Sequence, residues 1–365
     1  MLVAAAEAVP LRSLERLRVD LDGGVVSLIG PNGAGKTNFL EAVYFALTGR
    51  SFRTADRRDL IPFGGAHARA EATVRGEDGI EHVLLASVSR AEGRRHLLDG
   101  NPADPATIAR HRPPVAVFSP DRLVLVKGPP SERRAHLDGF VAARWPRRGE
   151  LRQVYGRALA QRNALLGRIL AGAAAPAQLD PWDATLAGAA AALIAARAEA
   201  VAELSAPFAA AAEELGLGPG PALEYAPRAE ADSAAEIEAG LLERRDADLR
   251  LGRSSWGPHL DELKLTVGAR AVRRFGSQGE QRAALLALIF AEREVLMSSR
   301  RVIPLLLLDD VMSELDPGRR ELLVARLERG GQTMITAAAE ESVPPAARRV
   351  VVPMPPSAGG LEAVA

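Results

Sequence analysis

The chain has 365 residues, 47% of them hydrophobic, and its 46 Lys and Arg balance 46 Asp and Glu. That length exceeds what one core usually supports, so two lobes are expected, and the balanced charge excludes a globally basic nucleic-acid binder while leaving room for a local arginine face. The lack of cysteine excludes a disulfide framework and thiolate metal sites, and the six histidines show no paired ligand spacing.

No strongly apolar run follows a basic N-terminal region, and the long apolar stretches are alanine-dominated and broken by charges. A cytoplasmic protein with no membrane segment is expected. From residue 17 to 21 apolar and charged side chains alternate, the period of a strand with one buried face. The apolar run Val25, Val26, Ser27, Leu28, Ile29 then feeds Gly30-Pro31-Asn32-Gly33-Ala34-Gly35-Lys36-Thr37, and a helical pattern follows. Strand, glycine loop and helix in that order make a phosphate-binding loop. Gly33 and Gly35 let main-chain N–H groups curl around β- and γ-phosphates. Lys36 adds a point charge, Thr37 offers a hydroxyl to Mg²⁺, and the helix N-terminus contributes partial positive charge.

After that helix, residues 49–54 open a polar excursion that ends near Gly64. Residues 68–75, 80–89 and 94–98 alternate between turn sequences, which reads as antiparallel strands, and residues 115–118 return to a buried strand. From Ser119 helical periodicity takes over, with an alanine-rich run at 184–215 and with Pro176, Pro181 and Pro207 expected to start or break helices. The expected organisation is an N-terminal head part at 1–118, an inserted helical lobe at 119–255, and the remainder of the head at 256–365.

Strand character resumes near 263–267. Ser277-Gln278-Gly279-Glu280-Gln281 opens a long helix, and a buried strand from 303 ends in Asp309 and Asp310. Each is ambiguous alone: apolar strands ending in Asp are common, and Ser277 fits a helix N-cap as well. Beside a P-loop the first carboxylate of such a strand normally holds Mg²⁺, so Asp309 and Thr37 are the expected metal ligands and Asp310 the group that orients water. Ser277 and the amides at its helix start would form a second anion site serving the other subunit. Nucleotide would then lie between two protomers, with residues 313–316 at the junction.

The order of these motifs resembles an ABC-type ATPase head of the SMC kind, and specifically the RecF family of bacterial recombination and gap-repair proteins. Family-like segments stand at 49–54, 118–121, 128–134, 137–138, 161–163, 257–259, 277–282, and 307–311 with 313–316. The resemblance implies an α/β P-loop head with an antiparallel β subdomain and an inserted all-helical lobe. It also implies a slow, DNA-stimulated ATPase that uses ATP and Mg²⁺ and dimerises on ATP. Such a protein binds single-stranded, gapped or junction DNA, works with RecR and RecO, promotes RecA loading and is linked to replication and the SOS response. In that frame Asp310 and Ser277 are catalytic, and Gly30 to Thr37 bind the nucleotide. The family's N-terminal strand is usually aromatic where this chain reads Leu11-Arg12-Ser13-Leu14, which leaves Arg12 as the candidate beside the base. Leu260 replaces a usual arginine, and Thr336 sits on the strand resembling the family's switch strand. A transporter ATPase subunit would share the nucleotide motifs, but its signature follows the P-loop far more closely than Ser277 follows Lys36. Another SMC-like DNA or defence ATPase, and a DNA clamp in which hydrolysis is only a slow reset, are the other readings.

Overall fold

A computed structural model describes residues 1–354 apart from 22, 232, 301–302 and 341–342, so the last residues of the expected head lie outside the described ones. The chain packs as two compact units, Met1–Arg122 with Leu296–Ala365, and Leu123–Val295.

The first unit opens with β1 (Leu2–Ala8), β2 (Leu17–Asp20), β3 (Val25–Ile29) and α1 (Lys36–Thr48). It continues through β4 (His67–Arg75), β5 (Glu81–Ser89), β6 (Gly93–Leu98), β7 (Asn101–Pro102), α2 (Pro105–Arg110) and β8 (Val115–Phe118). The second unit holds α3 (Val124–Lys127), α4 (Pro130–Arg144), α5 (Leu151–Leu170), α6 (Asp180–Glu214), β9 (Pro221–Ala226), α7 (Ala234–Glu243) and α8 (Arg245–Leu251). Then come β10 (Glu262–Val267), β11 (Arg270–Ala271), α9 (Val272–Phe275) and α10 (Gln278–Arg300), along which the chain leaves this unit. The first unit closes with β12 (Leu305–Leu308), α11 (Pro317–Leu327), β13 (Thr333–Ala337) and β14 (Arg348–Val351).

Two sheets shape the first unit. One is parallel in the order β14-β3-β13-β12-β8, and the other is antiparallel in the order β2-β1-β4-β5-β6-β7. Strands covered on both faces read as continuous apolar runs, which is why β12 is four buried leucines; β4 instead alternates exposed and buried residues. Phe39, Val43, Phe45 and Leu47 of α1 share one core with Leu28 of β3, Ala70 and Ala72 of β4 and Leu84 of β5. The P-loop therefore hangs between a buried strand and a buried helix.

The second unit is mainly helical, but the inserted stretch also carries strand β9, which pairs with β10 and so crosses the expected boundary at 255. Arg197 of α6 binds Asp138 and Asp261, and Arg133 binds Glu262, so residues just past 255 are fastened to the helical segment by charge as well as by strand pairing. The packing boundaries accordingly fall at 122/123 and 295/296. Pro207 does not break α6, contrary to expectation. It removes one main-chain bond, but the flanking Leu204, Phe208 and Ala211 are buried and hold the helix together. The stretch Pro176–Glu214 is long and apolar enough to cross a membrane by composition, yet much of it is buried as the central helix of this unit, packed on α5 and α7 through Leu186, Leu193 and Ile194.

Candidate nucleotide site

The loop between β3 and α1 is built for close backbone approach. Gly33 and Gly35 have φ of 86° and 96°, a region that side chains other than glycine rarely enter, and a Cβ on Gly35 would lie 2.5 Å from Leu14 Cδ2. Gly30 is fixed by a different neighbour, since a Cβ there would meet the Val352 carbonyl oxygen at 2.6 Å. No side chain caps the start of α1, so its first amides are left for an anion. Lys36 Nζ donates to the carbonyls of Gly30 and Pro31 at 2.6 and 2.9 Å, which folds its charge over the loop, and partial burial lowers its pKa.

The acidic strand meets this loop directly. Thr37 Oγ1 donates to Asp309 Oδ1 at 2.7 Å, and Thr336 Oγ1 donates to the same oxygen at 2.9 Å. Thr336 Oγ1 in turn accepts from the Asp310 amide at 2.7 Å, so one hydroxyl fixes both carboxylate residues. Burial pushes the Asp309 carboxyl above the usual aspartate range, with the two threonine hydroxyls pulling the other way. A hydroxyl and a carboxylate side by side are hard oxygen donors of the kind Mg²⁺ takes, so Thr37 and Asp309 fit that ion. Asp310 has φ of 49°, a strained conformation for a residue with a side chain, and its carbonyl accepts from Ser313 Oγ at 3.0 Å.

Arg12 is held by a carboxylate. Its guanidinium binds fully buried Glu41 of α1 by two hydrogen bonds, Nε to Oε2 and Nη2 to Oε1, while its amide donates to the Leu60 carbonyl at 2.8 Å. Glu41 also accepts from Ser51 Oγ and, at 3.4 Å, from Arg53 Nη1. Arg53 Nη1 reaches Asn38 at 3.0 Å, and Asn38 Nδ2 donates to Ser13 Oγ at 2.8 Å. The segments at 12–13 and 51–53 are thus clamped to the P-loop helix through one buried glutamate, which the sequence reading missed. The available signal was a charge at the third position of an otherwise apolar helical run.

Ser277 belongs to the second unit. Its Oγ accepts from the Glu280 amide at 3.2 Å, while Glu280 Oε2 accepts from the Ser277 amide at 2.7 Å, a reciprocal capping box at the start of α10. Gln281 Nε2 donates to the Gly276 carbonyl at 3.0 Å and fixes the turn before it.

Comparison with known proteins decides the family. The model of the RecF/RecN/SMC N-terminal domain matches residues 7–355. The curated relative from Streptomyces avermitilis, a DNA replication and repair protein RecF, is 36% identical over 343 residues, covering 89% of this chain and 90% of its own. The chain belongs to the RecF family. A second relative of that name, from Anaeromyxobacter sp. (strain K), is 39% identical over 314 residues and 82% of each chain. Among solved structures, the recombination mediator RecF with ATP superposes with a TM-score of 0.84 at 26% identity, over 94% of this chain and 93% of that one. The Smc head bound to the C-winged helix domain of ScpA gives 0.56 at 17% identity over 93% and 90%, which speaks for the fold alone. The fold is therefore the SMC-type ATPase head of RecF proteins, with its parallel and antiparallel sheets and a helical region.

Proposed function

We propose that this RecF-family chain is an ATP-switched DNA-binding protein of recombinational repair. The contact that carries the reading is Thr37 Oγ1 to Asp309 Oδ1 at 2.7 Å, because it joins the P-loop to the acidic strand with donors suited to Mg²⁺. In this reading the amides of Gly33 to Thr37 and the ammonium of Lys36 bind the β- and γ-phosphates of ATP. Gly30, Pro31, Asn32 and Ala34 shape the loop around them. Mg²⁺ would supply positive charge against the phosphate oxygens. Thr37 and Asp309 hold the ion, and Asp310, fixed by Thr336, orients the attacking water. Arg12, steadied by Glu41, flanks the nucleotide on the side of the base. Ser277 acts in trans: its hydroxyl and the first amides of α10 close on ATP bound by a second copy, so that the dimer forms with ATP and comes apart after hydrolysis.

Turnover is slow and DNA-stimulated, hydrolysis serving as a switch rather than a source of work. The dimer engages single-stranded, gapped or junction DNA in the cytoplasm, with RecR and RecO as partners, and promotes RecA loading in replication repair and the SOS response. The test is steady-state ATP hydrolysis with and without gapped duplex, alongside DNA retention. ATP-dependent DNA retention with slow, DNA-accelerated turnover is expected. DNA retention that ignores nucleotide would overturn the switch.

A further inference from the structure

The arginines gathered around α1 divide into two groups. Arg53 and Arg12 are engaged by Glu41, and Arg58 and Arg95 lie within 3.4 and 3.1 Å of Asp56 and Glu92. Among the described residues none of Arg50, Arg57 and Arg94 is paired with a carboxylate, although the three converge on one place. Gly49, in left-handed conformation with φ of 64°, ends α1, and its carbonyl accepts from Arg57 Nε at 2.9 Å. A Cβ on Gly49 would lie 3.1 Å from His96 Nδ1 and 3.5 Å from Arg94 Nη1, so β6 presents both residues to this helix end. His96 Nε2 donates to the Ala46 carbonyl at 2.9 Å. Arg95, between Arg94 and His96 on β6, points to the opposite face of the sheet.

A helix C-terminus favours cations, but Arg57 and His96 already occupy the terminal carbonyls. Arg50 and Arg94 are surplus to that need and add mutual repulsion. Burial first, then Arg94 and Arg50, lower the Arg57 pKa; burial likewise lowers that of His96 first, with Arg94 and Arg112 adding to it against the bond to Ala46. The opposing carboxylate is Asp56, already shared with Arg58. In a chain of zero formal net charge, exposed like charges gathered without counter-ions need an anionic partner. The neighbouring aromatics, Tyr44 and Phe52, pack edge to face at 5.6 Å against the core and offer no platform for unstacked bases. Charge without stacking suits the backbone of a duplex.

We propose that Arg50, Arg57 and Arg94, around the C-terminal end of α1, form a docking patch for the phosphate backbone of double-stranded DNA. This rests on the DNA-binding reading above and assigns it a surface that each protomer carries permanently, so that an ATP dimer brings two.

The experiment is a salt titration of anisotropy with a labelled blunt duplex, using the full chain with Mg²⁺ and ATP. Each phosphate contact contributes about 0.9 to the log–log salt slope of B-DNA. The Arg50→Ala/Arg94→Ala pair is expected to flatten the slope by about 1.8 per protomer and to weaken binding at low salt at least several-fold, with ATP binding and melting temperature unchanged. Arg50→Lys/Arg94→Lys, which keeps the charge, should retain the slope, and Arg95→Ala on the other sheet face should match the parent. An unchanged slope in the alanine pair, or an equal loss in Arg95→Ala, overturns the patch while leaving DNA binding in place. A parent chain that binds no DNA in any nucleotide state overturns the underlying reading instead. Competition by polyglutamate as effective as by unlabelled duplex would assign the patch to an acidic protein and overturn the DNA assignment.

Discussion

Thr37 Oγ1 and Asp309 Oδ1, far apart in the chain, meet at 2.7 Å, and Thr336 joins them from the neighbouring strand. The parallel register makes the meeting possible. Thr336 of β13 lies beside Leu28 of β3, while β12, ending at Leu308, runs along the other side of β13. The ends of three adjacent strands thus deliver the P-loop, the carboxylates and the hydroxyl that fixes them.

Burial raises the Asp309 pKa, so between its ordinary and its raised value the folded chain binds more protons than the unfolded one and stability falls as pH rises. Asp309→Asn removes the buried charge. Without nucleotide its melting temperature should exceed the parent's at neutral pH, with the gap closing as pH falls through the raised Asp309 value and gone below the ordinary aspartate range near ~4. With Mg²⁺ and ATP the order should reverse. Calorimetry across pH in both conditions measures this.

Replacing Lys36 by Ala removes the ammonium that the proposed function places on the phosphates. The variant should lose ATP binding and ATP-driven dimerisation together while keeping its fold, since among the described residues the Lys36 ammonium bonds to two loop carbonyls alone. Fluorescent-nucleotide titration checks the first and sizing the second. Unchanged affinity would remove Lys36 from the phosphate site.

Thr336→Val leaves the partly buried Asp310 amide without its acceptor and Asp309 without one of two donors. A stability loss of about 1–3 kcal/mol is expected, with a larger effect on turnover than on ATP affinity because the ordering of Asp310 is lost. Single-turnover hydrolysis beside thermal melts separates these effects. Equal losses in binding and turnover would make Thr336 a packing residue only.

Much of this was legible in the sequence. The P-loop, β12 with its two aspartates and the alternating strands β4 to β6 stand close to where their patterns put them, because glycine spacing and burial periodicity are local properties. β1 was not legible: Leu-Val-Ala-Ala-Ala-Glu-Ala has the composition of a helix, and its pairing with β2 and with β4, where Ala6 and Ala8 face Ala72 and Ala70, overrides that propensity. β9 was hidden by the helical texture around it, and its partner β10 lies well downstream. Glu41 was missed because its three partners come from two separate loops. The role of Thr336 could not be read either, since a hydroxyl that bonds an adjacent strand leaves no periodic mark.

Ser277 separates two roles that the capping box leaves superimposed. Ser277→Arg should cost about 1 kcal/mol as a lost cap and leave ATP binding by the monomer intact. If the residue closes on ATP held by a partner, the variant should also fail to dimerise or hydrolyse ATP. A variant that melts slightly lower yet assembles normally would confine Ser277 to capping.

The most direct test of ATP-gated pairing is light scattering of Asp310→Asn with Mg²⁺ and ATP, with ADP, and without nucleotide. Asparagine tolerates the left-handed conformation at this position, so the fold and the Thr37–Asp309 pair proposed to hold Mg²⁺ are preserved, while the carboxylate proposed to orient water is lost. A long-lived dimer with ATP and a monomer in the other two conditions is the expected result. A monomer in all three conditions, with ATP shown to be bound, would contradict the sandwich on which the proposed function rests.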